Sequence, residues 1–290
     1  MNEYEVMDQS QGEGPVTRPS LEADLRQVFE MIDGTVPSVL AHTSLSSMGW
    51  VCGGEQTLLE ALLAAADRKI TLVMPAFTSQ LTEPSYWVAP PAPKEWWPTI
   101  RDQLPPFDPM LSPVRGLGRL PELFRNHPAS IRSSHPHVSF AASGPHALSF
   151  LASHPLDDGF GMKSPLGALY RENGWVLMLG TKYSSCTTLH LAERLADFPG
   201  KWWREEGAPI RNERGKRAWV KLASLETEVG VDDFDDLGEA FEASEPDSAN
   251  FYKGKIARAT VRLIRARTLV DFAVTWFEEN RATERDEESP

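Results

Sequence analysis

The sequence has little cysteine and no long apolar run. Only Cys52 and Cys186 occur among 290 residues, too few for the disulfide framework of a small secreted protein. No apolar stretch reaches the roughly 18 residues that a membrane-spanning helix requires. The acidic N-terminus also lacks the basic-then-apolar order of a secretory signal. We therefore expect a cytoplasmic protein that does not enter a membrane.

Basic residues are also scarce, with 29 Lys and Arg against 41 Asp and Glu and a formal net charge of −12. More than half of the imbalance lies at the ends, because residues 1–18 carry four acids and one base and residues 278–290 carry six acids and two bases. We expect both segments to be disordered tails around a single domain at 19–277. The rest of the chain has no basic stripe, which argues against nucleic acid as a partner. Its mild acidity permits a small cationic substrate.

Apolar periodicity predicts an α/β fold. A helix at 21–32, with Ser20 as its N-cap, precedes a buried strand at 36–42. A polar loop then leads to a helix at 55–66 and a short strand at 70–74. This order of elements indicates a βαβ unit, and we predict a mixed sheet flanked by helices.

The second half of the chain extends the same pattern. The sequence predicts strands at 138–142 and 175–179 and helices at 120–126, 187–196 and 268–281. Residues 257–266 fit a strand or a helix equally well, and the charged stretch 201–216 is expected to be exposed. Residues 82–114 contain nine of the 23 prolines, so they predict a long irregular segment that either packs on its own aromatic residues or forms a wall for a substrate.

The loop from His42 to Gly54 is the first stretch that could support chemistry. Its small hydroxyl residues and glycines let backbone N–H groups approach a ligand, and the N-terminus of the following helix favours an anion. A simple tight connection between strand and helix explains the same residues. The glycine patterns that bind nucleoside triphosphates and dinucleotides are absent from the sequence.

Histidines mark three further stretches. His135 and His137 share one side of an extended segment, but nothing in the sequence completes a metal site around them, and we predict no metal. His154 lies in a loop beside acids and could be a general base or a partner of loop backbone groups. His190 and Glu193 are three residues apart on one helical face, where the carboxylate could orient the imidazole, bind an ammonium group or form an ordinary ion pair.

A nucleophilic hydrolase is a competing interpretation. The sequence lacks the G-x-S-x-G elbow of serine hydrolases. Cys52 lies in the loop between a strand and a helix, where it could act as a thiol nucleophile. Cysteine is more often a small buried apolar residue, so this interpretation is secondary.

Eight collinear motifs between residues 36 and 196 resemble the aminoglycoside 3-N-acetyltransferase family, also called the antibiotic N-acetyltransferases. They are HTSLSSMGWVCGGEQTLLEALL, TLVMPAFT, the EPSYW and KEWWPTIRDQLPPFDP stretch, SPVRGLGRLPELFR, RSSHPHVSFAASGPHA, HPLDDGFGMKSPLGALY, GWVLMLG and TTLHLAE. Weaker similarity continues to Trp276. The resemblance implies a mixed α/β sandwich that transfers an acetyl group from acetyl-coenzyme A to the 3-amino group of an aminoglycoside, which gives antibiotic resistance. It leaves the choice between a monomer and a homodimer open.

The resemblance also implies roles for individual residues. For coenzyme A these are Ser44, Ser46, Ser47, Gly49, Val51, Gly53, Arg132, Ser133 and Ser134. His154 is our first choice as general base, with His135, His190 and Glu193 as the other catalytic candidates. For the cationic amine they are Trp87, Asp157, Tyr183, Ser184 and Glu193.

One position departs from the family pattern. Ser184 stands where we expect an acid that contacts substrate amines, and such a charge-assisted contact is worth roughly 1.5–3 kcal/mol. An enzyme that acetylates a different small amine therefore remains an alternative. A noncatalytic binding protein on the same scaffold is a third interpretation.

Overall fold

The computed structural model describes residues 3–10, 12, 14–34, 37–245 and 249–281. The α-helices are α1 Glu3–Gln9, α2 Arg18–Phe29, α3 Gly54–Ala66, α4 Trp97–Gln103, α5 Arg119–Arg125, α6 Ala147–Phe150, α7 Pro165–Arg171, α8 Leu189–Leu195, α9 Phe234–Ser244 and α10 Ala266–Asn280. The strands are β1 Ser38–Thr43, β2 Thr71–Pro75, β3 Ile131–Arg132, β4 Phe140–Ser143, β5 Trp175–Leu179, β6 Lys201–Arg211, β7 Arg217–Thr227, β8 Phe251–Ile256 and β9 Ala259–Arg265. Within these described ranges, no helix is both long and apolar enough to cross a membrane.

The main sheet has seven strands in the order β3-β4-β2-β1-β5-β9-β8. Strand β1 pairs in parallel with both β2 and β5, whereas the outer strands pair antiparallel. The carboxyl ends of β1, β2 and β5 therefore meet at one edge of the sheet, which is where ligands bind in open α/β sheets. The predicted mixed sheet flanked by helices is confirmed.

Alternate residues of the central strands face two separate cores. Val39 and Leu177 pack with helices α2, α3 and α5 on one side. Leu40 and Val176 pack with helices α7 to α10 on the other. Continuous apolar strands buried on both faces are typical of parallel strands between two helical layers.

Both ends of the chain differ from the predicted disordered tails. Helix α1 lies within the first expected tail, and its Val6 is buried. Helix α10 continues to Asn280, past the predicted boundary at 277, and the Arg281 that follows it is buried. Apolar contacts and ion pairs made with distant residues hold these segments, so local charge density was a poor guide. Residues 282–290 of the second expected tail lie outside the described residues.

The charged stretch 201–216, expected to be exposed, is mostly a strand. Strands β6 and β7 form a separate two-stranded hairpin paired from Lys201↔Thr227 to Arg211↔Arg217. Its central residues 206–209 are buried, whereas Glu205 and Lys221 beside them are exposed. The ambiguous segment 257–266 contains strand β9 and the start of α10.

The proline-rich segment 82–114 packs against this hairpin. The Phe107 backbone N–H donates to the Pro209 carbonyl at 2.8 Å. Arg217 Nε donates to the Leu104 carbonyl at 2.8 Å. The segment thus supports the hairpin from outside and contains little regular structure besides helix α4.

Candidate active site

Two cavities contain residues considered above, and the second of them lies where β1 and β5 end. The first, here called the acidic cavity, has a volume of about 370 Å³. Its charged and histidine lining consists of His135, His137, Asp158, His190, Glu193, Arg194, Glu206 and Glu226. The second, here called the loop cavity, has a volume of about 540 Å³ and is lined by residues 41–46 and 116–121 together with Glu55, Pro75, Thr181 and Ser185.

His190 and Glu193 form a pair in the acidic cavity. The Nδ1 atom of His190 lies 2.7 Å from Oε2 of Glu193. Because an ionised carboxylate only accepts, Nδ1 carries the proton in this pair. The His190 ring stacks on Phe160 at 5.0 Å and lies 5.4 Å from the Phe234 ring. Within the described part of the chain, Nε2 of His190 has no hydrogen-bond partner, so its lone pair can accept a proton.

Glu193 is held as a carboxylate by a buried arginine. Arg281 Nη1 donates to Glu193 Oε1 at 2.8 Å, and the same guanidinium bonds to Asp233 at 2.6 and 2.8 Å. Burial alone raises the pKa of the Glu193 carboxyl, but the hydrogen bonds and charges of His190 and Arg281 outweigh it and lower that pKa. The sequence placed His190 and Glu193 on one helical face, and the structure adds the arginine that fixes their protonation.

His154, our first choice as general base, has no free ring nitrogen. Nε2 donates to the Gly159 carbonyl at 2.9 Å, because a carbonyl oxygen can only accept. In the neutral ring Nδ1 then accepts, and its donor is the Ser133 hydroxyl at 2.9 Å. Burial lowers the pKa of His154 to about 4. His154 is also absent from the lining of the acidic cavity, so its geometry is that of a residue that orders the loop.

The His135 ring is likewise hydrogen-bonded to backbone groups. Its Nδ1 accepts from the N–H groups of His137 and Val138 at 3.2 and 3.1 Å. Burial, followed by the charges of His154 and His137, lowers the pKa of His135 to about 2. His137 contacts the Gly207 carbonyl through Nε2 at 3.2 Å, and burial lowers its pKa to about 4. Both rings line the acidic cavity, but they are neutral and hydrogen-bonded to backbone groups.

The hairpin forms one wall of the acidic cavity and contributes residues that our sequence analysis missed. Glu206 and Glu226 come from β6 and β7, and Trp203 lies at the rim with its side chain half-exposed. Asn212 and Gly215 close the turn between two strands of equal length. That spacing of turn residues was the available signal for a hairpin.

Most of the residues predicted to contact the amine lie elsewhere. Asp157 is exposed and absent from the cavity lining, whereas its neighbour Asp158 is part of it. Tyr183 is buried against Gly238. The Ser184 N–H donates to Asp235 at 3.1 Å, and neither Tyr183 nor Ser184 lines the cavity.

Trp87 is also directed elsewhere. Its indole N–H donates to the Thr82 hydroxyl at 3.0 Å, within the proline-rich segment. Of the five predicted contacts for the amine, the structure brings only Glu193 to the acidic cavity.

Only some of the residues predicted to hold coenzyme A line the loop cavity. Ser44 and Ser46 line the loop cavity. Ser47 instead donates to the Ser44 carbonyl at 2.7 Å and closely approaches Gly180, which has a φ of +73° and no room for a Cβ. Gly49 and Val51 are buried beneath the N-terminal segment, and Gly53 caps helix α3 in a separate shallow cavity.

Arg132 and its neighbours do not face the loop cavity. The Arg132 guanidinium donates to the carbonyls of Ala76 and Ser112, both at 2.5 Å, and lies over the Phe107 ring. Burial lowers its pKa to about 10. Ser133 bonds to His154, while Ser134 is exposed outside both cavities. Arg132 and Ser133 therefore bond to neighbouring loops and line neither cavity.

Two residues of the loop cavity each have a polar side-chain atom without a partner in the part of the chain that the structure describes. Nε2 of His42 and Oγ1 of Thr181 have no hydrogen-bond partner in the described ranges. Burial lowers the pKa of His42 to about 4, and the nearby charge of His190 adds to this effect. His42 lines the loop cavity, and its Nε2 is available to a ligand there. Cys52 is exposed and lines neither cavity.

The sequence matches the family model for aminoglycoside 3-N-acetyltransferases over residues 40–278. It is 40% identical to the SPbeta prophage-derived aminoglycoside N(3')-acetyltransferase-like protein YokD of Bacillus subtilis, over 92% of this chain and 94% of that protein. It is 36% identical to aminoglycoside N(3)-acetyltransferase VII of Streptomyces paromomycinus, over 98% and 99% of the two chains.

Solved structures show the same relationship. The crystal structure of YokD superposes with a TM-score of 0.87 at 38% identity, covering 97% of this chain and 99% of that one. The binary complex of AAC-IIIb with CoASH gives 0.79 at 33% identity, covering 96% and 100%. AAC-VIa bound to sisomicin gives 0.78 at 26% identity, covering 93% and 100%. The chain therefore belongs to the aminoglycoside 3-N-acetyltransferase family.

Proposed function

We propose that this protein transfers the acetyl group of acetyl-coenzyme A to the 3-amino group of an aminoglycoside, with His190 as the general base. The observation that supports this assignment is the 2.7 Å contact between His190 Nδ1 and the buried Glu193 carboxylate. Among the histidines considered, His190 combines a place in the acidic cavity with an unpaired ring nitrogen. Acetylation of the drug would make the host cell resistant to it.

The pair supplies what amine acetylation requires. An amine is protonated at neutral pH and must lose a proton before it can attack a carbonyl carbon, which is the task of a base. Glu193 fixes the proton on Nδ1 of His190, so Nε2 is the nitrogen that accepts the substrate proton. The carboxylate then stabilises the imidazolium that forms, while Arg281 keeps Glu193 ionised.

The loop cavity is the proposed place of acetyl-coenzyme A, which supplies the acetyl thioester. The unpaired His42 Nε2 and Thr181 Oγ1 fit a ligand with amide and carbonyl groups, because each can complete a hydrogen bond with it. Ser44 and Ser46 add hydroxyl groups to the same wall. The complex of the relative AAC-IIIb with CoASH supports this choice of co-substrate.

The acidic cavity is the proposed place of the aminoglycoside. It combines the acids Asp158, Glu193, Glu206 and Glu226 with aromatic groups at its wall, a composition suited to a cationic sugar. The complex of the relative AAC-VIa with sisomicin supports an aminoglycoside acceptor.

A free-thiol assay tests the proposal. We expect the purified protein to release coenzyme A thiol from acetyl-coenzyme A when an aminoglycoside is present, and His190→Gln to lower kcat by roughly a hundredfold or more, the usual range for loss of a general base. The melting temperature of this variant should stay close to that of the wild type, because Gln retains a donor for Glu193.

His127→Gln is the matched control, since His127 lines neither the acidic nor the loop cavity. If no aminoglycoside in a broad panel supports thiol release, the proposed function is wrong. If thiol release occurs but His190→Gln behaves like the control, the base is another group.

A further inference from the structure

Three charged residues of the hairpin form a group in which the acids outnumber the base. Arg204 donates to Glu206 Oε1 through Nε at 2.9 Å and through Nη2 at 2.5 Å. Its Nη2 also lies 3.0 Å from Glu226 Oε1. Two carboxylates thus share one guanidinium, and both carboxylates line the acidic cavity.

The other acids of the cavity have arginines of their own. Asp158 pairs with Arg194 at 3.3 Å, and Glu193 pairs with Arg281 at 2.8 Å. The excess of negative charge in the cavity therefore lies at Glu206 and Glu226 of the hairpin.

Glu206 also carries an unsatisfied oxygen. The residue is only 5% exposed, and its Oε2 has no hydrogen-bond partner among the residues that the structure describes. A buried carboxylate oxygen that accepts no hydrogen bond is unfavourable, so such oxygens ordinarily have a donor. Burial raises the pKa of this carboxyl and outweighs the opposing effects of Arg204 and of the Glu83 backbone N–H, while the charge of Glu226 raises it further.

We propose that Glu206 Oε2 receives a second ammonium group of the acceptor, while the amino group to be acetylated lies at His190. This inference rests on the proposed function and narrows it to amines that carry at least two positive charges. An ammonium group suits the site because it donates to the unpaired oxygen and also neutralises the excess charge of Glu206 and Glu226. A hydroxyl group could donate to the same oxygen but would leave that charge uncompensated.

This subsite also compensates for a residue that the chain lacks. Ser184, where we expected an acid that contacts substrate amines, bonds to Asp235 and lies outside the cavity. Glu206 supplies the corresponding charge from a different element of the fold.

The matched pair Glu206→Gln and Glu205→Gln tests the inference. Both variants lose one negative charge from adjacent positions of β6, but Glu205 is exposed and pairs with Lys221 on the other face of the hairpin. We expect Glu206→Gln to raise KM for a multiply charged aminoglycoside by roughly tenfold or more, as for loss of a charge-assisted hydrogen bond. KM for acetyl-coenzyme A should not change, and Glu205→Gln should match the wild type.

Pairs of acceptors that differ by one amino group locate the contact. Neomycin and paromomycin differ in this way, with an amino group in one and a hydroxyl group in the other at a single position. Across a set of such pairs, the KM penalty of Glu206→Gln should nearly vanish whenever the amino group bound by Glu206 is replaced by hydroxyl. A penalty of equal size for every acceptor, or no penalty beyond that of Glu205→Gln, would overturn the inference.

Binding measurements separate the failure of this inference from that of the proposed function. Absence of thiol release in the wild-type protein counts against acetyl transfer, whereas calorimetric titration with the aminoglycoside alone still reports on Glu206. We expect the melting temperature of Glu206→Gln to equal or exceed that of the wild type, because a buried charge is removed. A large fall in melting temperature without a change in aminoglycoside affinity would make Glu206 a structural residue and contradict the proposal.

Discussion

At the scale of single residues, four histidines near the site are buried in neutral form. Burial is the main cause that lowers the pKa of His42, His137 and His154 to about 4 and that of His135 to about 2. The unfolded chain titrates these groups near pH 6.5. Between about pH 6.5 and 4 the unfolded state therefore binds more protons than the folded state, and the free energy of unfolding falls as the pH falls.

We predict that His154→Gln weakens this pH dependence. The variant removes one titrating group, so the slope of the unfolding free energy between pH 6.5 and 4.5 should decrease by up to about 1.4 kcal/mol per pH unit. Urea denaturation at several pH values measures the slope. A variant with the wild-type slope would show that His154 is charged in the folded protein.

The distinction between His154 and His190 needed the structure. Both histidines stand beside acids in the sequence, and both fit a general base. What separates them is the Ser133 hydroxyl and the Gly159 carbonyl, which occupy both nitrogens of His154, and the Glu193 carboxylate, which occupies one nitrogen of His190. Hydrogen-bond partners such as Ser133, which is 21 positions from His154, are set by tertiary packing and leave no pattern in the local sequence.

At the scale of elements, the N-terminal segment braces the loop that borders the proposed coenzyme site. The Trp50 N–H donates to the Ser10 hydroxyl at 3.0 Å. Val16 pairs with Val51, and its carbonyl accepts from the Cys52 N–H at 2.9 Å. These contacts attach the backbone of residues 50–52 to the N-terminal segment.

Deletion of residues 1–12 should therefore affect acetyl-coenzyme A more than the aminoglycoside. We expect a severalfold rise in KM for acetyl-coenzyme A, because the loop loses the Ser10 contact and becomes less ordered, and little change in KM for the acceptor. Ser10→Ala should give the same effect in weaker form. Equal changes in both KM values would mean that the deletion destabilises the whole fold.

The elements that the sequence predicted are those with a strong apolar signal. The runs that became β1, β2 and β5 are buried on both faces, and the leucines of α3 recur at helical spacing. The hairpin was missed because β6 carries five charged residues and lacks a regular apolar alternation, so its pattern resembles a solvated surface. Its burial depends on the segment 82–114, which packs against it from far away in the sequence.

At the scale of the whole molecule, Arg281 connects the end of the chain to the site. It is 9% exposed, and its guanidinium bonds to Glu193 in α8, to Asp233 just before α9 and to the Gly230 carbonyl. It is hydrogen-bonded to the carboxylate of the His190–Glu193 pair, although it lies 88 positions from Glu193 in the sequence.

We predict that Arg281→Met destabilises the protein by about 3–5 kcal/mol, because two carboxylates lose their buried partner. Such a loss is a large part of the 5–15 kcal/mol that stabilises a typical domain. Chemical denaturation measures it, with Arg211→Met on the exposed hairpin as the control for loss of an arginine. A change below about 1 kcal/mol would show that the network is not coupled to folding.

Among the residues that the structure describes, the two-stranded hairpin makes no strand pair with the seven-stranded sheet. Its residues shape the acidic cavity, whereas the loop cavity is built from residues 41–46 and 116–121 and the segment after β5. Substitutions within residues 201–227 are therefore expected to change the wall of the proposed acceptor site and to leave the lining of the proposed coenzyme site unchanged. Exchange of the hairpin between relatives, together with the segment 82–114 that packs against it, is expected to alter the range of antibiotics that the enzyme accepts.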